Sequence, residues 1–121
     1  MSRQEIRSLN EAKSLINISM TTGQMLIKNG AEIYRAEDTI ERMISSMKSI
    51  TEVDVFGLNS AIFVSAEYEN ETITMFKDIE NGGVNLNQID ALNTFSRRFV
   101  AGEISIQDAR NELIALSKAT K

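Results

Sequence analysis

The sequence predicts an α+β fold, with four helices and a three-stranded antiparallel sheet in the order ααβββαα. Three observations carry this. Apolar residues recur every three to four positions from Leu9 to Met47, every second position from Val53 to Phe76, and every three to four again from Leu86 to Leu116. Turn-forming stretches (Asn29-Gly30, Gly57-Leu58-Asn59-Ser60, Glu69-Asn70-Glu71, Asn81-Gly82-Gly83 and Gly102) fall where the segments change. The 121 residues are 42% apolar and 25% charged, which suits one domain with a core of its own, so residues 1–121 are read as a single unit.

The first segment sets Leu9, Ala12, Leu15, Ile16, Leu26 and Ile27 on one stripe, with Ser19 and Gly23 among them. A helix over about 5–29 is predicted. Its small residues leave room for another element to come close, although Gly23 costs about 1 kcal/mol of helix propensity relative to Ala. Asn29-Gly30 is a stop signal. Ile33, Ala36, Ile40, Met43, Ile44 and Met47 mark a second helix, about 31–48, and the short connection makes the two antiparallel neighbours. The faces bearing Met20, Met25, Met43 and Met47 read as core packing, the alternative being burial against another copy or against a membrane part.

The period then becomes two. Val53 and Val55 alternate with Glu52, Asp54 and Phe56; Ile62, Val64 and Ala66 with Phe63 and Ser65; Ile73 and Met75 with Thr72, Thr74 and Phe76. Three short strands joined by tight turns follow. Asn85 and Gln88 form a capping box for a third helix, whose stripe is Leu86, Ile89, Leu92, Phe95 and Phe99 and which Gly102 ends. Ser105 and Asp108 open a fourth, faced by Ala109, Leu113 and Leu116, with Ile104 placed to staple onto Ala109.

Composition narrows function mainly by exclusion. There is no His and no Cys, which removes imidazole catalysis, thiolate metal sites and disulfides. The net charge of −4 is uneven. Residues 52–80 hold Glu52, Asp54, Glu67, Glu69, Glu71, Asp78 and Glu80 against Lys77 alone, while the flanking parts are each close to neutral. An acidic middle and only the Arg97-Arg98 pair argue against nucleic acid as a partner. The acids have no EF-hand loop around them, so no metal site and no cofactor are expected. Without a nucleophile elbow or a His base, no catalytic residues are assigned and the chain is read as a non-enzyme. The N-terminal MSRQEIRSLN has no apolar h-region, and no run of about 20 apolar residues marks a membrane span.

Two helix faces carry polar groups that look placed. On the second helix, Glu32 and Arg35 are three apart and Asp38 and Arg42 four apart, spacings at which intrahelical pairs form. Glu37 lies between them. On the third helix, Asn93 and Arg97 are four apart, Asn93 beside the apolar stripe. A buried Asn needs partners, and a structural bridge to a neighbouring element is the expected role. The alternative is that Glu32, Arg35, Glu37, Arg42, Asn93 and Arg97 face a shared polar site, where guanidinium groups would hold a carboxylate by forked hydrogen bonds.

The stretches GAEIYRAEDTIERM and GGVNLNQIDALNTFSRRFVAGEISIQDARNEL, in that order, resemble the threonine/serine exporter family. The matching positions are Gly30, Ala31, Glu32, Arg35, Glu37, Ile40 and Arg42, then Asn85, Leu86, Leu92, Asn93, Ser96, Arg97 and Arg98, then Gly102, Ile104 and Ser105. The resemblance spans about residues 12–117. It implies the soluble N-terminal domain of a membrane exporter of threonine and serine or of dicarboxylates such as succinate, on the cytoplasmic side of the cell membrane. The chain ends just after the matching stretch, so it is expected to be that domain alone, a fragment or a split component with no transport of its own. The implied partners are a transmembrane domain in the same or a partner chain, and threonine, serine or succinate as ligands; a homo-oligomer is a further possibility. Two other readings stay open, a small-metabolite-binding module and a carboxylate-dependent hydrolase.

Overall fold

The computed structural model describes residues 5–58 and 60–119. Seven elements follow in the predicted order: α1 (Leu9–Lys28), α2 (Ile33–Ser45), β1 (Ile50–Gly57), β2 (Ala61–Tyr68), β3 (Glu71–Asp78), α3 (Leu86–Val100) and α4 (Ile106–Ala119). The predicted turn residue Asn59 lies outside the described residues.

Helix α1 begins at Leu9 rather than near residue 5, because Ser8-Leu9-Asn10-Glu11 caps it. The Ser8 hydroxyl accepts the Glu11 N–H at 3.1 Å, and the Glu11 carboxylate accepts the Arg7 N–H at 2.7 Å. The helix is buried on nearly every side, with Ala12, Leu15, Ile16 and Met20 fully enclosed. It is the central layer. The inner face of the sheet packs on α1 and α2, while α3 and α4 pack on α1, α3 also against α2. The buried Ser19 and Thr22 hydroxyls donate to the Leu15 and Ile18 carbonyls at 2.8 and 2.9 Å, so neither is left unpaired in the core. Gly23 has the close-approach role its size suggests: a Cβ there would stand 2.7 Å from Ile40 Cγ1 of α2. Met20, Met25, Met43 and Met47 are all buried, so the methionine faces are used up inside the domain.

The end of α1 is tied to the start of α3. Asn29 caps the helix and Gly30 takes a left-handed φ of 106°. The returning chain lies against this corner: Gly82 N–H donates to the Lys28 carbonyl and Asn85 N–H to the Asn29 carbonyl, each at 2.9 Å. These bonds satisfy helix-terminal carbonyls that have no partner within the helix. A Cβ on Gly30 would meet Val84 at 3.1 Å, so this corner closes only around a glycine.

The sheet has the order β1-β2-β3, antiparallel throughout. Glu69 and Asn70 both have positive φ (49° and 69°), a two-residue turn whose twist matches the flanking strands. In β1, Thr51 pairs with Glu67 and Asp54 with Ser65, leaving Glu52 and Val53 together opposite Ala66. This is a bulge, with Glu52 at φ 52°. The extra residue shifts the alternation by one, so that Ile50 before it and Val53 and Val55 after it all reach the helical side.

Candidate functional site: the groove between α2 and α3

Most of the motif positions have an evident task in the fold. Gly30 closes the corner described above. Ile40 is fully buried against Gly23. Asn85 caps α3, its side-chain oxygen accepting the Gln88 N–H at 3.0 Å. The Gln88 side chain does not return to Asn85, as a reciprocal capping box would have it, but donates to the Leu116 carbonyl of α4 at 2.9 Å. Leu92 and Ile104 are core. Arg98 reaches Glu112 of α4 at 2.7 Å, an ion pair across two helices. Gly102 turns the chain at φ 80°, and Ser105 caps α4 by accepting the Asp108 N–H at 3.0 Å.

Glu37 belongs with these structural residues. It does not face the other predicted site residues. Its carboxylate accepts the Gly57 N–H at 2.6 Å, fastening α2 to the last residue of β1. Gly57 permits this, since a Cβ there would stand 2.7 Å from Ile33 Cγ2 and 3.1 Å from the Glu37 carboxylate. Sequence spacing could not place Glu37, because its partner lies twenty residues away in another element.

The other five predicted residues, Glu32, Arg35, Arg42, Asn93 and Arg97, come together along one open groove of about 1270 Å³. Helix α2 supplies one wall and α3 the other, and Leu26, Ile89, Val100 and Ala101 add apolar surface. Both predicted intrahelical pairs form. Arg42 and Asp38 meet at 2.9 Å, whereas Arg35 and Glu32 are 3.9 Å apart, and all four side chains are largely exposed. Such pairs contribute little to stability, about 0.2–1 kcal/mol. The Arg35 guanidinium also lies 5.9 Å from the centroid of the Tyr34 ring, a groove residue the sequence reading missed. A lone exposed tyrosine carries no sequence signal that separates it from an ordinary surface residue.

The expected structural bridge from Asn93 is absent. Among the described residues its carboxamide makes no hydrogen bond, and it is half-buried in the groove wall; only its backbone carbonyl is used, by the Ser96 hydroxyl at 2.9 Å. Asn93 stays near enough to solvent to need no internal partner. Arg97 meets no carboxylate among the described residues. Its contact is a long 3.4 Å hydrogen bond to the Thr94 hydroxyl, within its own helix. Nor do Arg35 and Glu32 bond to Asn93 or Arg97 across the groove, so the groove is not a closed helix junction. It presents the Arg97 guanidinium and the Asn93 carboxamide, beside the Arg35–Glu32 and Arg42–Asp38 pairs, over an apolar base, an arrangement able to hold carboxylates or main-chain carbonyls.

Among the described residues, no helix is long and apolar enough to cross a membrane. No curated protein and no solved structure matches the chain. The family model described as "Putative threonine/serine exporter" (ThrE) matches residues 17–121, a region that holds both groove helices and the whole sheet, and the chain belongs to that family.

Proposed function

We propose that this unit is an accessory, regulatory domain of a membrane exporter of small amino acids (threonine, serine) or dicarboxylates, working on the cytoplasmic side. In this reading the α2–α3 groove is where it docks on the exporter's membrane-spanning part, carried by the same chain or by a partner. Membership of an exporter family implies association with a membrane. The observation that carries the docking role is the division of work among the motif residues. Gly30, Glu37, Ile40, Asn85 and Arg98 are occupied within the fold, while the Asn93 carboxamide has no partner among the described residues and Arg97 only a long bond within its own helix, and they share one groove with Arg35 and Arg42.

The shape of the groove supports a polypeptide as occupant. Small-molecule sites enclose about 300–1000 Å³ and bury most of their ligand. This groove is larger, at about 1270 Å³, and open along its length. A non-enzymatic role is supported by the carboxylates: Glu32 and Asp38 each face an arginine and Glu37 holds the Gly57 N–H, so none of them is paired with another acid for general acid–base work.

Site-specific photo-crosslinking in cells making the exporter tests the docking role. A crosslinker at Ala101, in the groove, is expected to capture the exporter's membrane-spanning part, and one at the exposed Ile114 of α4 is not. Equal capture from both positions, or threonine efflux unchanged in an Arg35→Ala/Arg97→Ala variant, would overturn the reading. The Arg97 guanidinium, which meets no carboxylate among the described residues, favours one second reading, a site for the carboxylate of a small metabolite. Calorimetric titration with threonine, serine and succinate decides it: saturable heat that disappears in Arg97→Ala supports a metabolite site, and no heat from any of the three sinks it.

A further inference from the structure

The chain has five phenylalanines, and only Phe95 and Phe99 are buried. Phe56, Phe63 and Phe76 are 59%, 38% and 53% exposed. The strand register sets them in one row across the sheet, Phe56 opposite Phe63 and Phe63 opposite Phe76, with the last two rings 5.0 Å apart between centroids. All the helices lie on the other side of the sheet. The outward face of an antiparallel sheet in water is ordinarily polar. Here three neighbouring phenylalanines leave roughly 300 Å² of apolar surface in one row, about the size of the largest patch on a typical monomer, which is often functional.

The charges around the row are of one sign. One step of two from the phenylalanines reaches Asp54 and Asp78, a second step along β2 reaches Glu67 beyond Ser65, and neither meets a Lys or Arg. Lys77, the sole base between residues 52 and 80, sits opposite the buried Ile62 and so belongs to the other face. A second copy docked face to face would set two acidic patches against each other, and an anionic bilayer would be repelled in the same way.

We propose that this outer sheet face, Phe56, Phe63 and Phe76 flanked by Asp54 and Asp78 with Glu67 further along β2, binds a Lys/Arg-rich polypeptide segment that carries its own apolar stripe. The complementarity is specific in kind. Apolar side chains and the alkyl stems of Lys and Arg cover the rings, guanidinium groups lie over ring faces, and the cationic heads reach the flanking carboxylates. The site is independent of the groove, which is walled by different elements.

Amide NMR titration of the 121-residue chain tests the proposal with two synthetic amphipathic peptides of the same apolar pattern, one with Lys and Arg on its polar face and one with Glu. The basic peptide is expected to shift amides of β1, β2 and β3, and to bind more weakly as salt rises. Asp54→Asn/Glu67→Gln/Asp78→Asn is expected to weaken it about tenfold or more, as is Phe56→Ser/Phe76→Ser. Arg97→Ala, in the groove, is expected to leave it unchanged. Equal binding of the two peptides, shifts confined to the helices, or binding indifferent to both sets of substitutions would overturn the proposal. So would dimerisation lost in the phenylalanine variant, or binding of the chain to phosphatidylserine vesicles through this face. Circular dichroism confirms that each variant is folded, and Phe63, the least exposed of the row, is left intact for that reason.

Discussion

Glu37 and Arg35 stand two residues apart in one motif, yet the structure gives them different work, and removing each should separate the two. The Glu37 carboxylate accepts the part-buried Gly57 N–H at 2.6 Å across twenty residues of chain. A hydrogen bond to a charged group contributes about 1.5–3 kcal/mol, and partial exposure brings the expectation to the lower end. Glu37→Ala also leaves the Gly57 N–H without its acceptor. A loss of about 2 kcal/mol follows, which in a domain of this size lowers Tm by roughly 6–10 °C. Glu37→Gln keeps an acceptor oxygen and should lose about 1 kcal/mol. Arg35→Ala removes only an exposed 3.9 Å pair and should stay within about 0.5 kcal/mol of the parent. Urea unfolding followed by far-ultraviolet circular dichroism gives the three values, and amide hydrogen exchange locates the effect. The Gly57 amide should lose protection in Glu37→Ala and keep it in Arg35→Ala. If Glu37→Ala proves no more destabilising than Arg35→Ala, or Gly57 exchanges alike in both, the assignment of Glu37 to the α2–β1 fastening is wrong.

Three further outcomes follow from the packing. Replacing the Glu69-Asn70 turn by Asn-Gly should raise stability by about 0.5–1 kcal/mol, since both positions hold positive φ that the new residues adopt at lower cost; a lower urea midpoint would contradict it. Gly23→Ala should destabilise by about 1–2 kcal/mol, because a Cβ at 2.7 Å from Ile40 Cγ1 outweighs the gain in helix propensity. Ile40→Val should relieve part of that loss in a double-mutant cycle, and strict additivity would refute the contact. Arg98→Ala should cost about 1 kcal/mol at low salt and less at high salt, as expected for a half-exposed 2.7 Å pair joining α3 to α4; a loss indifferent to salt would point to packing instead.

What the sequence determined by itself is what local physics decides. The helical and strand periods fix the seven elements and their order. Asn85 and Ser105 are legible as caps, and Glu32–Arg35 and Asp38–Arg42 as pairs, because each partner lies within one turn of helix. The start of α1 is predicted near residue 5, although the apolar stripe begins at Leu9 and Ser8 with Glu11 caps it there. Tertiary structure decided the rest. The partner of Glu37 sits on another element, and Asn93 lost its expected bridge because α2 and α3 stand apart at that level and leave a groove. The phenylalanine row is a matter of register. Alternation put each Phe on the face opposite its valines and isoleucines, but only strand pairing, with the bulge at Glu52 setting the phase of β1, lines the three up beside Asp54 and Asp78. Interactions between neighbours in sequence are fixed by spacing along one element. Those between elements depend on how the chain closes through its turns, and that is settled only when the core packs.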